Sequence, residues 1–211
     1  MGPRDRRERD RAELREKILT AARELFAEHG YEDVSMRKIA DRIEYSPTSI
    51  YLHFADKEAL FRELVYGDYL MLSKEFAVMA STQNPAERLL QIGEAYVQFG
   101  ATHPFHYRMM FMNPPPIKRH CGDGAIPAKG LPDWDAYAFL KWTVTEAAQA
   151  GFLRPDLTDL DLLSQTLWAA VHGITALEIT MHNEEWQPRP LQQRTHAMLD
   201  ALMNGITRKG D

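Results

Sequence analysis

The sequence predicts an all-α protein of about nine helices, and three observations carry that prediction. Apolar residues recur at three and four residues along most of the chain. No stretch alternates with a period of two. Pro, Gly and small polar residues stand where the periodic stretches begin and end. The 211 residues suffice for one large domain or two small ones with a buried core. The apolar fraction of 45% is ordinary for a globular chain. No apolar run is long enough to span a membrane, and none near the N-terminus has the form of a signal peptide. The single Cys121 excludes an internal disulfide. A cytoplasmic location and no membrane partner are therefore expected.

The elements follow in order. MGPRDRRERDR, residues 1–11, mixes both charges without apolar residues, and is expected to be a disordered arm that becomes helical near Arg11. Leu14, Ile18, Ala21, Ala22, Leu25, Phe26 and His29 then mark one helix face, and Gly30 is its stop. Ser35 is an N-cap for MRKIADRI, with Met36, Ile39, Ala40 and Ile43 on one side. In YSPTSIYLHFADKEAL, residues 45–60, Pro47 suits a first helical turn behind a Ser46 cap. Asp56 caps a longer helix from Lys57 toward Ala80. Pro85 opens a helix to Thr102, and a short, very apolar one follows Pro104. Residues 113–133, rich in Pro and Gly, form the one long loop expected. Helices over 134–150, 159–182 and 190–207 complete the series.

Charge bounds the function. The net charge of −5 does not advertise nucleic-acid binding. Residues 1–57, however, hold 12 Lys and Arg against 12 Asp and Glu, so the whole excess lies in residues 58–211. Any contact with DNA must come from local placement of charge in the N-terminal part. No nucleophile spacing or phosphate-binding loop supports an enzyme, and no cofactor is expected. His103, His106, His120 and Cys121 are metal-ligand types, but their spacing matches no zinc pattern, so no metal is expected either.

Two short helices joined by a tight turn, the second with a small polar N-terminus, have the form of a helix-turn-helix. Such a helix leads with its N-terminal end into the major groove. Small hydroxyl residues there approach base edges and phosphates closely. Ser46, Pro47, Thr48 and Ser49 meet that need; they would equally cap an ordinary surface helix.

The order Tyr31, Val34-Ser35, Ile39-Ala40, Ser46, Ile50-Tyr51, His53-Phe54, Lys57-Glu58, Leu60 resembles the TetR family of bacterial transcriptional regulators. The resemblance implies a three-helix DNA-binding domain over residues 12–57, with Pro47–His53 as recognition helix, and a C-terminal ligand and dimerisation domain over 58–211. It implies that Pro47, Thr48 and Ser49 lie nearest the bases. Ser35, Tyr51, His53 and Lys57 would hold phosphates, and Arg37 a guanine or a phosphate. Tyr45 would touch the DNA backbone or pack. The arginines of the N-terminal arm would add DNA contacts or stay solvated. Two residues depart from the family: Glu44 and Thr48 stand where Gly is usual. A left-handed backbone at Glu44 would cost about 1 kcal/mol.

In the C-terminal part, Trp168, His172 and Gly173 within LWAAVHGITALE resemble a Trp-His-Gly type of TetR C-terminal domain, as does PFHYRMMF at 104–111. Phe105, Met110, Phe111, Phe139, Trp142 and Trp168 are flexible or flat apolar groups suited to a pocket for a small hydrophobic effector. Tyr96, His106, Tyr107 and His172 are candidate polar anchors. The same residues at helical spacing also suit an ordinary core. Gly173 is expected to let another helix approach closely. Leu163, Leu167, Val171, Ile174, Met198 and Leu202, on the last two helices, are candidates for a homodimer interface or for intramolecular core. The expectation is a homodimeric regulator, a repressor that leaves a double-stranded palindromic operator when its effector binds. An activator, and a DNA-binding dimer without any ligand, need the same DNA-binding half.

Overall fold

The computed structural model describes residues 2–112, 135–181 and 187–208. Among them are nine α-helices: α1 Pro3–His29, α2 Met36–Arg42, α3 Pro47–Tyr51, α4 Lys57–Ala77, α5 Pro85–Thr102, α6 Pro104–Tyr107, α7 Ala136–Gln149, α8 Leu160–Thr180 and α9 Leu191–Ile206. A 3-10 turn, Val78–Ser81, follows α4, and a π turn, Arg108–Met112, follows α6. The described residues hold no strand, only one antiparallel bridge between Leu153 and Thr207. The long loop predicted at 113–133 lies outside the described residues, as do Trp134 and His182 at the ends of two predicted helices.

The N-terminal arm is a correction. Residues 3–11 are not disordered but the first turns of α1. Helix initiation at Pro3 sacrifices no N–H bond. Gly2 N–H donates to Asp5 Oδ2 at 2.9 Å, and Arg9 pairs with Glu13 one turn on at 3.5 Å. Mixed charge at helical spacing supports a helix where mere polarity suggests a coil.

The chain divides into two compact units. The first holds the residues up to Asp68 together with the segment that begins at Phe105; the second holds 69–104 and the described residues from Asp135 on. The expected boundary at 57/58 thus differs from the geometric division, which cuts α4 near its middle. In the first unit Ile18, Ala22 and Phe26 of α1, Ile39 of α2, Ile50 of α3, and Leu60, Phe61 and Leu64 of α4 share one core. Phe26, Tyr31 and Phe61 pack ring against ring at 5.2–5.6 Å. Phe105 and Met109 enter this same core from a distant part of the sequence.

In the second unit α5 packs against α7, α8 and α9. Its glycine at position 93 makes the closest approach: a Cβ there would lie 2.5 Å from a terminal carbon of Leu199 on α9. Around an added Cβ at Gly173, by contrast, nothing of the described chain comes within 4 Å. The close approach expected at Gly173 is therefore found at Gly93. Arg88, 3% exposed, fastens α5 to α7 by lying over the Trp142 ring at 4.3 Å and donating to Glu146. Substitution Gly93→Ala must displace the buried Leu199 side chain. It is expected to cost about 1–2 kcal/mol in urea denaturation, with part of that recovered when Leu199 is shortened to Val.

Candidate DNA-reading face and effector site

The reading face is built on two capped helices. Ser35 Oγ accepts from Lys38 N–H at 3.2 Å and starts α2; Ser46 Oγ accepts from Ser49 N–H at 3.2 Å and starts α3. Both hydroxyls are thus partly committed to the fold. Ser46 and Ser49 also share a hydroxyl bond of 2.9 Å. Ile50 is fully buried, which fixes the rotation of α3 about its axis. Tyr45, Ser46, Pro47, Thr48 and Tyr51 are then exposed, while Ser49 is half-buried. Tyr51 is 54% exposed, too much for a core aromatic. Arg37 stands almost fully in solvent, with Asp41 at 3.9 Å. Leu52, 72% exposed, also stands at this face. Sequence pattern gave no reason to select an apolar residue among polar ones, although an exposed Leu suits contact with a thymine methyl.

The turn between α2 and α3 places Glu44 at φ +60°, the one non-glycine with positive φ among the described residues. The left-handed conformation anticipated there is present.

Two expected phosphate ligands are also structural. Lys57 Nζ donates to the Tyr31 carbonyl at 2.8 Å and lies 4.1 Å from the centre of that ring, so it ties α4 to the end of α1. Burial, then the nearby Arg11 and Arg15, holds the His53 pKa below its ordinary value. That direction favours the neutral imidazole at His53.

The expected effector residues fall into both units. Phe105, His106, Tyr107, Met110 and Phe111 belong to the first. There Phe105 packs against the core, Tyr107 is fully buried with its ring 4.9 Å from Phe111, and Met110 is buried. His106 Nδ1 is bonded to Asp68 at 2.8 Å. Tyr96, Phe139, Trp142, Trp168 and His172 belong to the second. Phe139 is buried between Phe76 and Trp142. Of the residues in the metal-type set, His103 packs on the Phe99 ring at 5.3 Å. His120 and Cys121 lie outside the described residues.

Tyr96, Trp168 and His172 form a polar chain. Trp168 Nε1–H donates to Tyr96 Oη at 3.0 Å, and Tyr96 Oη lies 3.2 Å from His172 Nδ1. An indole can only donate, so the tyrosine accepts from Trp168. Burial holds the His172 pKa below its ordinary value and favours the neutral imidazole beside the tyrosine hydroxyl.

Burial also revises the dimer candidates. Leu163, Leu167 and Val171 are buried within the second unit, because that side of α8 faces α5. They are core residues of this chain. Ile174, Met198 and Leu202 are half-buried. The exposed side of α8 carries Leu162, Thr166, Ala169 and Leu177.

A capped helix-turn-helix with an exposed polar recognition face, followed by a separate helical unit, defines a bacterial DNA-binding regulator. Comparison makes this specific. Residues 18–64 match the family described as bacterial regulatory proteins, tetR family, and residues 89–202 match the tetracyclin repressor-like C-terminal domain. The chain belongs to the TetR family. It is similar to the transcriptional repressor KstR2 of Mycobacterium tuberculosis, 26% identical over 93% of this chain and 94% of that protein. The structure of that ketosteroid regulator superposes with a TM-score of 0.67 at 25% identity, over 93% of this chain and 96% of the other. The transcriptional activator FasR of Mycolicibacterium smegmatis is 33% identical over 49% of this chain and 48% of its own. FadR of Bacillus subtilis, solved with stearoyl-CoA, shares the fold, with a TM-score of 0.68 at 18% identity over 90% of this chain and 98% of the other.

Two outcomes are expected from the polar chain. Tyr96→Phe removes the hydroxyl that both Trp168 Nε1–H and His172 Nδ1 bond, and is expected to cost about 1–3 kcal/mol by urea denaturation. A depressed histidine pKa means that the unfolded chain takes up its proton first as pH falls. The contribution is therefore complete above about pH 6.5 and is lost progressively below it. Stability measured from pH 7.5 to 5 should fall less steeply in His172→Gln than in the wild type.

Proposed function

We propose that this protein is a homodimeric, ligand-responsive transcriptional repressor acting in the cytoplasm and without catalytic activity of its own. The observation that carries the reading is the exposed face of Tyr45, Pro47, Thr48 and Tyr51 on a helix whose rotation is fixed by buried Ile50. Pro47 and Thr48 approach the base edges. Arg37 reaches a guanine or phosphate from α2, and Tyr51 and Lys57 hold backbone phosphates. Two copies read half-sites about one helical turn apart, or somewhat wider, on a pseudo-palindrome. The copies associate through α8 and α9, using the exposed Leu162 and Leu177 side and the half-buried Ile174, Met198 and Leu202.

A small, mostly apolar effector binds within the helical C-terminal domain. Trp168, Tyr96 and His172 supply its polar anchor, and apolar residues such as Phe139 its walls. The similarity to the ketosteroid regulator KstR2 over nearly its whole length supports an effector of that apolar character. Binding acts only by favouring a conformation in which the recognition helices no longer fit the groove spacing. The Trp-His-Gly subgroup is a finer assignment, supported here by Trp168, His172 and Gly173 alone.

An activator is the second reading, favoured by the similarity to FasR. A reporter fused to the operator separates the two: deleting the gene raises transcription for a repressor and lowers it for an activator.

The direct test is a salt-dependent binding assay on the DNA upstream of the gene. Tyr51→Ala and Lys57→Ala are each expected to weaken binding about tenfold, and loss of Lys57 to reduce the salt slope by about one. Equal binding to unrelated DNA, unaffected by either substitution, would reject the proposed face.

A further inference from the structure

We infer that Asp68 is a positioning residue for DNA binding, a buried carboxylate that latches the 105–112 segment onto α1 and α4. The inference rests on the regulator reading above. Asp68 lies in the apolar part of α4 and is 1% exposed. Two donors from different elements converge on its Oδ1: Arg23 of α1 at 2.9 Å and His106 Nδ1 of α6 at 2.8 Å. Asp68 Oδ2 and Arg23 Nε are buried and have no hydrogen-bond partner among the described residues. One oxygen thus carries the whole charged contact. A buried carboxylate in such a place is held only as well as its donors are placed.

The covalent path gives the latch its meaning. Phe105–Met112 continues from α5, the helix that carries Tyr96. Yet the segment belongs to the DNA-reading unit, where Phe105 and Met109 join the core formed by α1, α2, α3 and α4. Its second half is a π turn, a geometry that is uncommon and concentrates at functional positions. A shift of α5 therefore pulls directly on α6, and the Asp68–His106 bond is the polar contact that resists it. With the bond made, α1 and α4 are held in register around α3. With it broken, Asp68 keeps Arg23 alone, and the register that presents Thr48 and Tyr51 relaxes.

The test compares the full-length wild type with His106→Leu, which removes the donor, and His106→Asn, whose amide nitrogen can replace Nδ1. The DNA probe is the fragment that the wild type selects from a random pool. Hydrogen exchange is followed at the amides of 105–112 and of α4. In His106→Leu, exchange of the segment is expected to speed up, and affinity for the selected DNA to fall, each about tenfold. His106→Asn should recover most of both, which a loss of packing alone would not produce. Unchanged DNA affinity in His106→Leu would overturn the role, whether or not the segment loosens. So would a failure of His106→Asn to restore affinity. A wild type that selects no DNA sequence would instead overturn the regulator reading, and the role with it.

Discussion

A recognition helix of five residues cannot hold itself together. Pro47–Tyr51 is barely more than one turn, far below the length at which a helix persists alone in water. Its existence depends on the burial of Ile50, supported by Phe54 three residues beyond its end, against a core that α1, α2 and α4 also form. Ser46 and Pro47 add local terms: a cap worth about 1 kcal/mol and a first turn that sacrifices no backbone bond. The division of labour is strict. Ile50 and Phe54 face inward, so Thr48, Tyr51 and Leu52 face out. A polar group at position 50 would cost both the core and the reading face at once.

The same economy governs charge. The chain is acidic as a whole, and the proposed DNA face relies on placement of a few groups rather than on excess positive charge. Inside, three polar side chains tie one element to another: Asp68 links α4 to α1 and α6, Arg88 links α5 to α7, and Tyr96 links α5 to α8. Buried polar contacts of this kind add little net stability compared with well-packed apolar groups. Their value is directional, because an apolar contact tolerates sliding and a hydrogen bond does not.

Helix periodicity made the interior faces readable, since Leu14, Ile18, Ala21, Ala22, Leu25 and Phe26 in α1, and Met36, Ile39 and Ala40 in α2, recur at three and four residues. Glu44 was readable only through the family resemblance: it stands where Gly is usual, and its φ is +60°. The start of α1 was not, because charged residues in alternation suit both a solvated coil and a helix with pairs one turn apart. Gly173 and Gly93 are indistinguishable in sequence; only the packing of α5 on α9 shows which one is pressed. Leu163, Leu167 and Val171 were ambiguous for the same reason, since an apolar face does not say which neighbour covers it. Asp68 leaves only a faint signal in sequence, one acid within the apolar stretch VYGDYLML. Its partners lie 45 and 38 residues away, beyond any local pattern.

The central claim is that the exposed end of α3 reads bases. It is tested most directly by selecting binding sites from random DNA with the wild type and with Thr48→Ala, then comparing base preferences position by position. The account predicts a pseudo-palindromic site for both proteins, with preference relaxed in Thr48→Ala at one base pair in each half-site and retained elsewhere. An identical preference profile for the two proteins would contradict it and move sequence reading away from the N-terminus of α3.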